Sequence, residues 1–501
     1  MLVVRAVEDI LEQGIRKGDR YQFYVVDAHH HMGKEKGHRN SPSGAYDFYA
    51  LLWFELQRMV KDQLEEDLLL FEPIEVVPPE LPSRLFSSRA SWARMNHGWL
   101  VDRTIVFPFT DDYSKSESPD VPSFRVSNDK IAGWTTRAPH SSRLIGFGRV
   151  DPKDSLSGAP DRPVKEINRA VKVLGLRGLK LHPLAQLFVD EIDSDDMRKI
   201  MKCAGNLGIP VIMDTRNMRT VLRIQDLVNS MRGSKKYRKA LNGLSIILAH
   251  CGMSPGDPRL YEVLRDPIFF GETSTLHGKD VPILFQMAHE RMDSPDVQWS
   301  EKLLFGTDYS FLSVQAAELM LHLFSREFQG TLADIQRILG GNALTLAQTP
   351  FRTDGGIKRQ PRTVIYEKCE RAVTQNLEDS ILSLLSNGWN ISSLDFMIPP
   401  RHTWPRIQSL ERGGYNGVHL DSYVITLHPK NGGNEFHVWI RMNPGGLLSC
   451  TVLGTKGSLV LDTAEFAAQK LGHELSEKIR EDAMTMRTPQ ELAASVLDML
   501  T

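Results

Sequence analysis

The chain carries Asp27, His29 and His31 at alternate positions, at the end of an apolar run from Tyr21 to Val26. Because successive side chains of a strand point to opposite faces, this spacing predicts that all three lie on one face. Two imidazoles and a carboxylate are the beginning of a metal site, and imidazole suits Zn, Fe, Ni or Mn. A His-x-His pair is also common on surfaces and in satisfied cores, so the metal interpretation depends on the rest of the chain.

Side chains that can ligate a metal, hold an anion or transfer a proton recur where other apolar runs end. Besides His29 and His31, they are Lys180 and His182, Asp214 and Arg216, His250, Glu272, and Asp308. Charges scattered by chance would not end six of eight apolar runs in this way. The joint pattern therefore predicts one polar site more strongly than any single residue does.

The elements that must position these side chains are eight apolar runs with strand character. We predict strands at Tyr24 to His29, Arg103 to Phe109, Leu144 to Val150, Gly178 to His182, Pro210 to Asp214, Leu244 to His250, Pro267 to Glu272, and Leu303 to Asp308. Helical patterns between several of them favour an α/β fold, a parallel (β/α)8 TIM barrel, whose active sites form at the carboxyl ends of the strands. A doubly wound open sheet is the structural alternative.

Four helices between the strands are predicted from their periodicity: Val164 to Val173, Asp196 to Leu207, Thr220 to Leu241, and Val281 to Arg291. Ser194 is a candidate N-cap of the second, and Gly208 follows its end. After strand 1, the segment Tyr46 to Phe71 has helical spacing and predicts one long helix or a broken pair, ended by the Pro-rich piece Pro73 to Pro82. We expect residues 34–100 to form a helical insertion at the barrel mouth, either covering the site or packing on the rim.

Composition limits the classes of partner. The 60 Lys and Arg residues balance 62 Asp and Glu residues, so nothing suggests a nucleic-acid or membrane partner, and a small molecule is expected. The four cysteines lie far apart without a Cys-x-x-Cys motif, which is typical of a reducing compartment. Without a signal-peptide pattern or a membrane-length apolar run, the chain is expected to be cytoplasmic. We also expect a homo-oligomer.

The sequence of the last third of the chain predicts a separate domain. Residues 1–350 form the barrel domain in this interpretation, residues 351–362 a polar linker, and residues 363–501 a small α+β domain of unknown role. In that domain we predict a helix at Val364 to Leu385, a hairpin of Tyr423 to Leu427 and Phe436 to Met442 around an Asn-Gly-Gly-Asn turn, a third strand at Leu447 to Leu453, and helices at Thr463 to Ala483 and Pro489 to Leu500. No catalytic motif lies there, which favours dimerisation, covering the barrel or partner binding.

Six motifs in the first 350 residues resemble the amidohydrolase superfamily, specifically the amidohydrolase-related branch that includes aminocarboxymuconate-semialdehyde decarboxylase and the resorcylate decarboxylases. They are VVDAHHHMG, IGFGRVDP, GLKLHP, IILAHCG, LLFGTDYSF and ILGGNALTL, in the order of the family. The resemblance implies one divalent metal ion, held by His29, His31 and Asp308, with His250 positioning or deprotonating a water or assisting protonation. Zn is the first expectation for the ion, with Mn or Fe as alternatives.

The chain departs from the pattern of this family at strand 5, where Asp214-Thr215-Arg216 stands in place of the usual histidine ligand. A carboxylate can ligate the same ion and favours a harder metal such as Mn, so we expect Asp214 to complete the ligand set. The alternative is a degenerate site in which Asp214 only pairs with Arg216 or Lys180.

The resemblance and the residue types lead to a metal-dependent hydrolase of an amide, ester or lactone, with His250 as the base and Asp308 as both ligand and proton shuttle. Lys180, Arg216 and Arg149 are candidate anchors for a substrate carboxylate, although Lys180 could be a structural ion-pair partner. His182 touches substrate or braces its loop, and Glu272 orients a histidine ligand or pairs with Lys180.

One alternative is a decarboxylase of a small carboxylated substrate, and another is a metal-free barrel acting as a binding or assembly subunit. His30 and Cys251 alternate to the opposite faces and are expected to be buried and inert.

Overall fold

The computed structural model describes residues 1–35, 38–76, 96–110, 123–135, 143–156, 161–292, 297–309 and 313–347, together with the backbone of five strands between residues 389 and 462. Within these ranges the fold is α/β. Its strands form one sheet near the N-terminus, a mixed and a parallel sheet that carry the predicted site, and an antiparallel sheet in the last third.

All eight predicted strand positions carry strands, mostly shorter than the apolar runs that predicted them. In chain order they are β3 (Val26–Glu35), β6 (Arg103–Pro108), β7 (Leu144–Gly146) with β8 (Gly148–Arg149), β9 (Leu179–Leu181), β10 (Pro210–Asp214), β11 (Ser245–Ala249), β12 (Phe269–Glu272) and β13 (Leu303–Leu304). Strands β8 to β13 form one parallel sheet in chain order, and β3, β6 and β7 are parallel neighbours in another.

Hydrogen bonds join these two sheets at both ends. At one end only Phe147 separates β7 from β8, and its N–H donates to the Val106 carbonyl. At the other end the Ala28 N–H donates to the Phe305 carbonyl at 2.9 Å, and the Asp308 N–H donates to the His29 carbonyl at 2.8 Å. The first and last predicted strands therefore contact each other where His29 and Asp308 lie.

Helices follow most of these strands: α2 (Arg125–Thr135), α3 (Arg162–Lys172), α4 (Asp195–Leu207), α5 (Met218–Arg232), α6 (Lys235–Leu241), α7 (Pro258–Leu264), α8 (Asp280–Met292), α9 (Ser313–Leu323), α10 (Leu332–Gln336) and α11 (Asn342–Ala347). The capping prediction for α4 is confirmed, because Ser194 accepts a hydrogen bond from the Met197 N–H and Gly208 takes a left-handed φ of 67°. The single helix predicted over Thr220 to Leu241 is wrong. It is two helices, separated at Gly233 and Ser234. Among the described helices, none has the length and apolar character of a bilayer-spanning segment.

The segment after strand β3 forms β4 (His38–Asn40), the long helix α1 (Pro42–Glu65) and β5 (Phe71–Val76). The helix prediction to Phe71 is wrong at its end. Phe71 and Pro73 are buried while Glu72 and Ile74 are more exposed, an alternation that suits a strand and is interrupted before Val76, near an irregularity in the pairing with β1. β5 pairs with β1 (Leu2–Ala6), which also pairs with β2 (Arg20–Phe23).

Helix α1 contacts helix α9 and strand β5, and on the face of strand β3 that carries His30 the Tyr49 hydroxyl donates to Asp27. That residues 34–100 cover the barrel mouth stays a prediction.

The last third contains an antiparallel sheet with its strands in chain order, β14 (Trp389–Phe396), β15 (Ser422–Pro429), β16 (Phe436–Met442), β17 (Leu448–Gly454) and β18 (Leu459–Asp462). The predicted hairpin is confirmed by β15 and β16, which pair from Leu427 opposite Phe436, and β17 confirms the third strand. The first and last of these strands were not predicted. The three helices predicted in this third, and the linker at 351–362, lie outside the described residues.

Candidate functional site

His29, His31 and Asp308 meet where the first and last predicted strands end. Both imidazoles approach one carboxylate oxygen: His29 Nε2 lies 3.3 Å and His31 Nε2 lies 3.2 Å from Asp308 Oδ1. All three side chains are buried, with His31 the most exposed at 9%. We call these residues the ligand triad.

The ligand triad fits a metal ion by its spacing. Its three ligand atoms lie within 4.8 Å of one another. In a tetrahedral site with bonds of about 2.0–2.1 Å, ligand atoms stand about 3.3 Å apart, which matches both distances to Asp308. Asp308 Oδ2 and His31 Nδ1 are buried without a hydrogen-bond partner among the described residues. Such unsatisfied atoms indicate a site whose polar groups serve an additional partner.

The backbone at Asp308 is held in an unfavourable conformation. Its φ is 49°, in the left-handed region that costs a non-glycine residue about 1 kcal/mol. His250 has a φ of 60°, and Cys251 and Met253 are also left-handed. Strained backbone of this kind clusters at functional sites, where it directs a side chain.

Glu272 fixes the ring of His29 from behind. Its Oε2 lies 2.7 Å from His29 Nδ1 and accepts a hydrogen bond from Ser274 Oγ at 2.8 Å. This leaves His29 Nε2 as the nitrogen that faces Asp308. Burial alone would raise the pKa of Glu272, but the adjoining His29 outweighs it and the pKa is lowered. Gly306 is required here, because a Cβ at this residue would stand 2.1 Å from Glu272 Oε1.

A second group surrounds Asp214 on the neighbouring strand ends. Asp214 Oδ1 accepts from Arg216 Nε at 2.9 Å, while Oδ2 lies 3.4 Å from Lys180 Nζ and 3.4 Å from His182 Nε2. We call these four residues the Asp214 cluster. Asp214 belongs to neither of the groups whose atoms are spaced for a metal ion.

His250 and Lys180 connect the two groups. His250 Nε2 lies 3.2 Å from Asp214 Oδ2 and 3.8 Å from Asp308 Oδ2, and its Nδ1 faces the Ser274 carbonyl at 3.2 Å. Lys180 Nζ lies 2.9 Å from His29 Nε2, so its positive charge stands beside the nitrogen that would face a metal.

The charge states of these groups differ with their neighbours. Burial lowers the pKa of His31 to about 3 and that of His182 to about 2, so both are neutral. Burial also lowers the pKa of His250, but the hydrogen bond and charge of Asp214 outweigh it and raise the pKa. Burial lowers the pKa of Lys180 to about 8. For Asp214, burial is outweighed by Lys180 and the histidines, which hold the pKa of its carboxyl well below its usual range.

The structure brings nine of the predicted site residues together and gives two others different hydrogen-bond partners. The residues brought together are His29, His31, Lys180, His182, Asp214, Arg216, His250, Glu272 and Asp308. Asp27, expected on the face of His29 and His31, instead contacts His30 and Tyr49, because the pairing of β3 with β6 shifts register between Asp27 and His30. Arg149, a candidate anchor, donates to the Pro108 carbonyl and to Gln186 Oε1.

His182 braces its own loop, because its Nδ1 accepts from the Ala185 N–H, and its Nε2 faces Asp214; contact with a substrate stays a prediction. The buried positions predicted for His30 and Cys251 are confirmed.

Sequence reasoning missed three residues at the site. Phe107 and Phe109 flank His31, with ring centroids 4.8 and 5.1 Å from the imidazole. Ser274 contacts both His250 and Glu272. The two phenylalanines alternate on a predicted strand, so a period of two could have placed them on one face, whereas Ser274 lies in a loop and gives no such signal.

A family model described as Amidohydrolase matches residues 121–346, a range that includes Lys180 to Asp308 but not His29 and His31. No curated protein matches the chain.

Several solved structures resemble the chain, and three of them illustrate the range. A 4-oxalomesaconate hydratase from Rhodopseudomonas palustris is 14% identical, with 64% of this chain and 95% of that chain covered and a TM-score of 0.39. A manganese-bound 5-carboxyvanillate decarboxylase from Novosphingobium aromaticivorans is 12% identical over 68% and 99%, with a TM-score of 0.37. A TIM-barrel protein from Bordetella bronchiseptica is 15% identical over 64% and 98%, with a TM-score of 0.37. Likenesses at this level assign no activity to the chain.

Proposed function

We propose that this protein is a metal-dependent hydrolase that cleaves a C–N or C–O bond of a small molecule, an amide, ester or lactone; the match of the Amidohydrolase family model to residues 121–346 supports this. The observation that carries the proposal is the convergence of His29 Nε2 and His31 Nε2 on Asp308 Oδ1, at the distances expected around one tetrahedral ion.

The proposed architecture is a closed eight-stranded barrel in residues 1–350, joined through 351–362 to an α+β unit at 363–501. Two hydrogen bonds support the closure, from the Ala28 N–H to the Phe305 carbonyl and from the Asp308 N–H to the His29 carbonyl. In such a barrel the site would lie at the carboxyl ends of the strands, where the active sites of TIM-barrel enzymes form.

The ion would be one divalent metal, Zn first and Mn or Fe as alternatives, held by His29, His31 and Asp308. When bound, such an ion lowers the pKa of water towards neutrality and polarises a substrate oxygen. Glu272 orients His29, and Ser274 and Asp214 orient His250 from its two sides. His250 would take a proton from the attacking water and return it to the leaving group. Asp308, 3.8 Å from His250 Nε2, would share this proton transfer.

Asp214 as a fourth ligand stays a prediction. Its oxygens face Lys180, His182, Arg216 and His250, so binding a metal would require it to leave some of these partners. The cations around it support a substrate role instead, with Arg216 and Lys180 holding an anionic group of the substrate.

This surplus of cations favours a second candidate, a metal-dependent decarboxylase of a small carboxylated substrate. His250 would then donate the proton to the carbon that loses carbon dioxide, and its hydrogen bond to Asp214 favours the protonated ring that such a step needs. The two candidates differ in their products and not in the residues they use.

The first test is metal content, measured by elemental mass spectrometry on full-length, tag-free protein purified without chelators. We expect about one Zn, Mn or Fe ion per chain in the wild type and a strong loss in His31→Ala and Asp308→Ala. The matched control is His322→Gln, which removes a partly buried histidine stacked on Phe285 and outside the site. The control should keep its metal.

The loaded enzyme is then incubated with amides, esters and lactones and, separately, with carboxylated aromatic compounds. Acid release from the first group supports hydrolysis, and carbon dioxide release from the second supports decarboxylation. A wild type that takes up no metal, even after incubation with Zn or Mn, would overturn both candidates and favour a metal-free barrel with a binding or assembly role.

A further inference from the structure

Behind the ligand triad, on the other face of strand β3, lies a fully buried carboxylate, Asp27. Its Oδ1 accepts from the backbone N–H of His29 at 3.0 Å and of Thr307 at 2.9 Å. Its Oδ2 accepts from Thr307 Oγ1 at 2.6 Å and from the Tyr49 hydroxyl at 2.8 Å, and lies 3.1 Å from His30 Nδ1. Five donors therefore converge on one side chain.

These donors come from the segments that carry the ligand triad. The His29 amide belongs to a triad residue, and the Thr307 amide directly precedes Asp308. One carboxylate thus binds the backbone of the first and last strands immediately beside the two groups that face each other across the candidate metal position. The strained φ of 49° at Asp308 makes such a restraint necessary, because an unrestrained chain would leave this conformation.

The network also reaches the third member of the triad. His30 Nε2 lies 2.9 Å from Asn40 Nδ2, and the same amide group donates to the His31 carbonyl at 2.7 Å. On the other side, the His30 ring stacks on Tyr309, the residue after Asp308, with centroids 4.8 Å apart. All three triad residues are therefore held, directly or through one neighbour, by groups bonded to Asp27.

We propose that Asp27 is a positioning residue that sets the geometry of the ligand triad and so the affinity of the site for a divalent metal. The inference rests on the proposed function in one respect, that the triad holds a metal. A carboxylate is required because it is acceptor-only, and an asparagine would turn an N–H₂ group towards donors that need acceptors. Residues that orient metal ligands in this way typically change metal affinity about 10–100-fold when they are replaced.

The test is the affinity of the metal-free, full-length protein for Zn²⁺, measured by competition with a chelator of known affinity, together with the visible absorption of the Co²⁺-loaded protein. Asp27→Asn is expected to weaken Zn²⁺ binding by about 10–100-fold and to change the Co²⁺ absorption bands, which report the coordination geometry. Tyr49→Phe, which removes one donor and keeps the ring, should weaken binding by only about fivefold, the equivalent of one hydrogen bond.

The matched control is Asp334→Asn. Asp334 is also a buried carboxylate with five donors: Ser300 Oγ, Gln298 Nε2, Arg337 Nη1, and the N–H and hydroxyl of Thr331. It lies within helix α10, where it forms a capping box with the N-cap Thr331, and it contacts none of the triad residues through these bonds. Its replacement should lower the melting temperature and leave Zn²⁺ affinity and the Co²⁺ spectrum unchanged.

The outcomes separate the two proposals. Failure of the wild type to bind Zn²⁺ or Co²⁺ overturns the proposed function. If the wild type binds and the folded Asp27→Asn protein binds equally well, with an unchanged Co²⁺ spectrum, Asp27 has a structural role only. If Asp27→Asn does not fold, Tyr49→Phe and Thr307→Val decide: unchanged affinity in both overturns the inference, and weaker affinity in either, with the Asp334→Asn control unchanged, supports it.

Discussion

The ligand triad and the Asp214 cluster lie side by side at the strand ends, yet they would attract ligands of opposite charge. In the triad two imidazoles, whose pKa values are lowered by burial, face one carboxylate, so the group is anionic. In the Asp214 cluster one carboxylate faces an ammonium, a guanidinium and an imidazole. A cation entering the site gains attraction in the first group and meets competing positive charge in the second.

This difference in charge concerns Asp214, the position at which the sequence departs from the pattern of the family that it resembles. A histidine at the end of strand β10 would add a neutral ligand, whereas Asp214 brings a charge that Lys180 and Arg216 already neutralise. A buried carboxylate that is paired in this way is expensive to remove from its partners. The comparison therefore predicts that Asp214 supports substrate binding and stability more than metal binding, and variants of Asp214 and Arg216 test this division.

The largest effect is expected from Asp214→Ala. Removing this carboxylate leaves Lys180, which is fully buried, without its counter-ion, so the variant should lose about 3 kcal/mol of unfolding free energy while its metal content stays near that of the wild type. Denaturant unfolding and elemental analysis of the same preparations measure both quantities.

Asp190→Ala is the control, since Asp190 pairs with Arg223 at the surface and its loss should change stability little. Loss of the metal from Asp214→Ala, with metal retained in the control, would place Asp214 in the ligand set and break the division.

A smaller effect is expected from Arg216, whose side chain is 29% exposed and donates to Asp214. If the cluster holds an anion, Arg216→Met should raise the KM of a carboxylated substrate about 30-fold, the equivalent of roughly 2 kcal/mol for a charged hydrogen bond, and change kcat less. Arg216→Lys should restore only part of the loss, because an ammonium cannot grip a carboxylate in bidentate fashion.

The internal control for Arg216 is an uncharged ester or lactone turned over by the same preparations, whose KM should not move. An equal rise in KM for charged and uncharged substrates would mean that Arg216 supports the site without binding an anion.

The positions of the strands and their polar ends could be predicted because both signals are local. A short apolar run bounded by Gly or Pro identifies a buried strand, and the polar residue that follows it belongs to the same few positions. This is why the sequence alone could assign His29, His250 and Asp308 to one site, although they are far apart in the chain.

What could not be predicted depends on pairing between distant segments. Asp27 lies on the face opposite to the predicted one because β3 shifts register against β6. Helix α1 ends before its predicted end because Phe71–Val76 pairs with β1 as a strand. The left-handed φ of Asp308 and the arrangement of cations around Asp214 likewise follow from tertiary contacts. None of these leaves a trace in hydrophobic periodicity.

The smallest expected effect comes from a partly buried histidine outside both groups. His322 stacks on Phe285 and its Nδ1 lies 4.0 Å from Glu327 Oε2, beyond hydrogen-bonding distance, and burial lowers its pKa to about 4. His250 is also buried, but Asp214 raises its pKa. If the carboxylate of Asp214 causes the difference between the pKa values of the two histidines, His322 is neutral in the folded state. In the unfolded state His322 has a pKa of about 6.5 and takes up a proton as the pH falls.

The unfolded state then binds more protons than the folded state between about pH 6.5 and 4, so His322 destabilises the protein increasingly as the pH falls through this window. Relative to His322→Gln, the metal-free wild type should lose roughly 1 kcal/mol of unfolding free energy between pH 7.5 and 5.5, measured by denaturant unfolding with a chelator present. A difference between the two proteins that does not change with pH would mean that burial at this position does not suppress protonation. Burial could then not explain the neutral imidazoles of the ligand triad either, and the contrast with His250 would lose its physical basis.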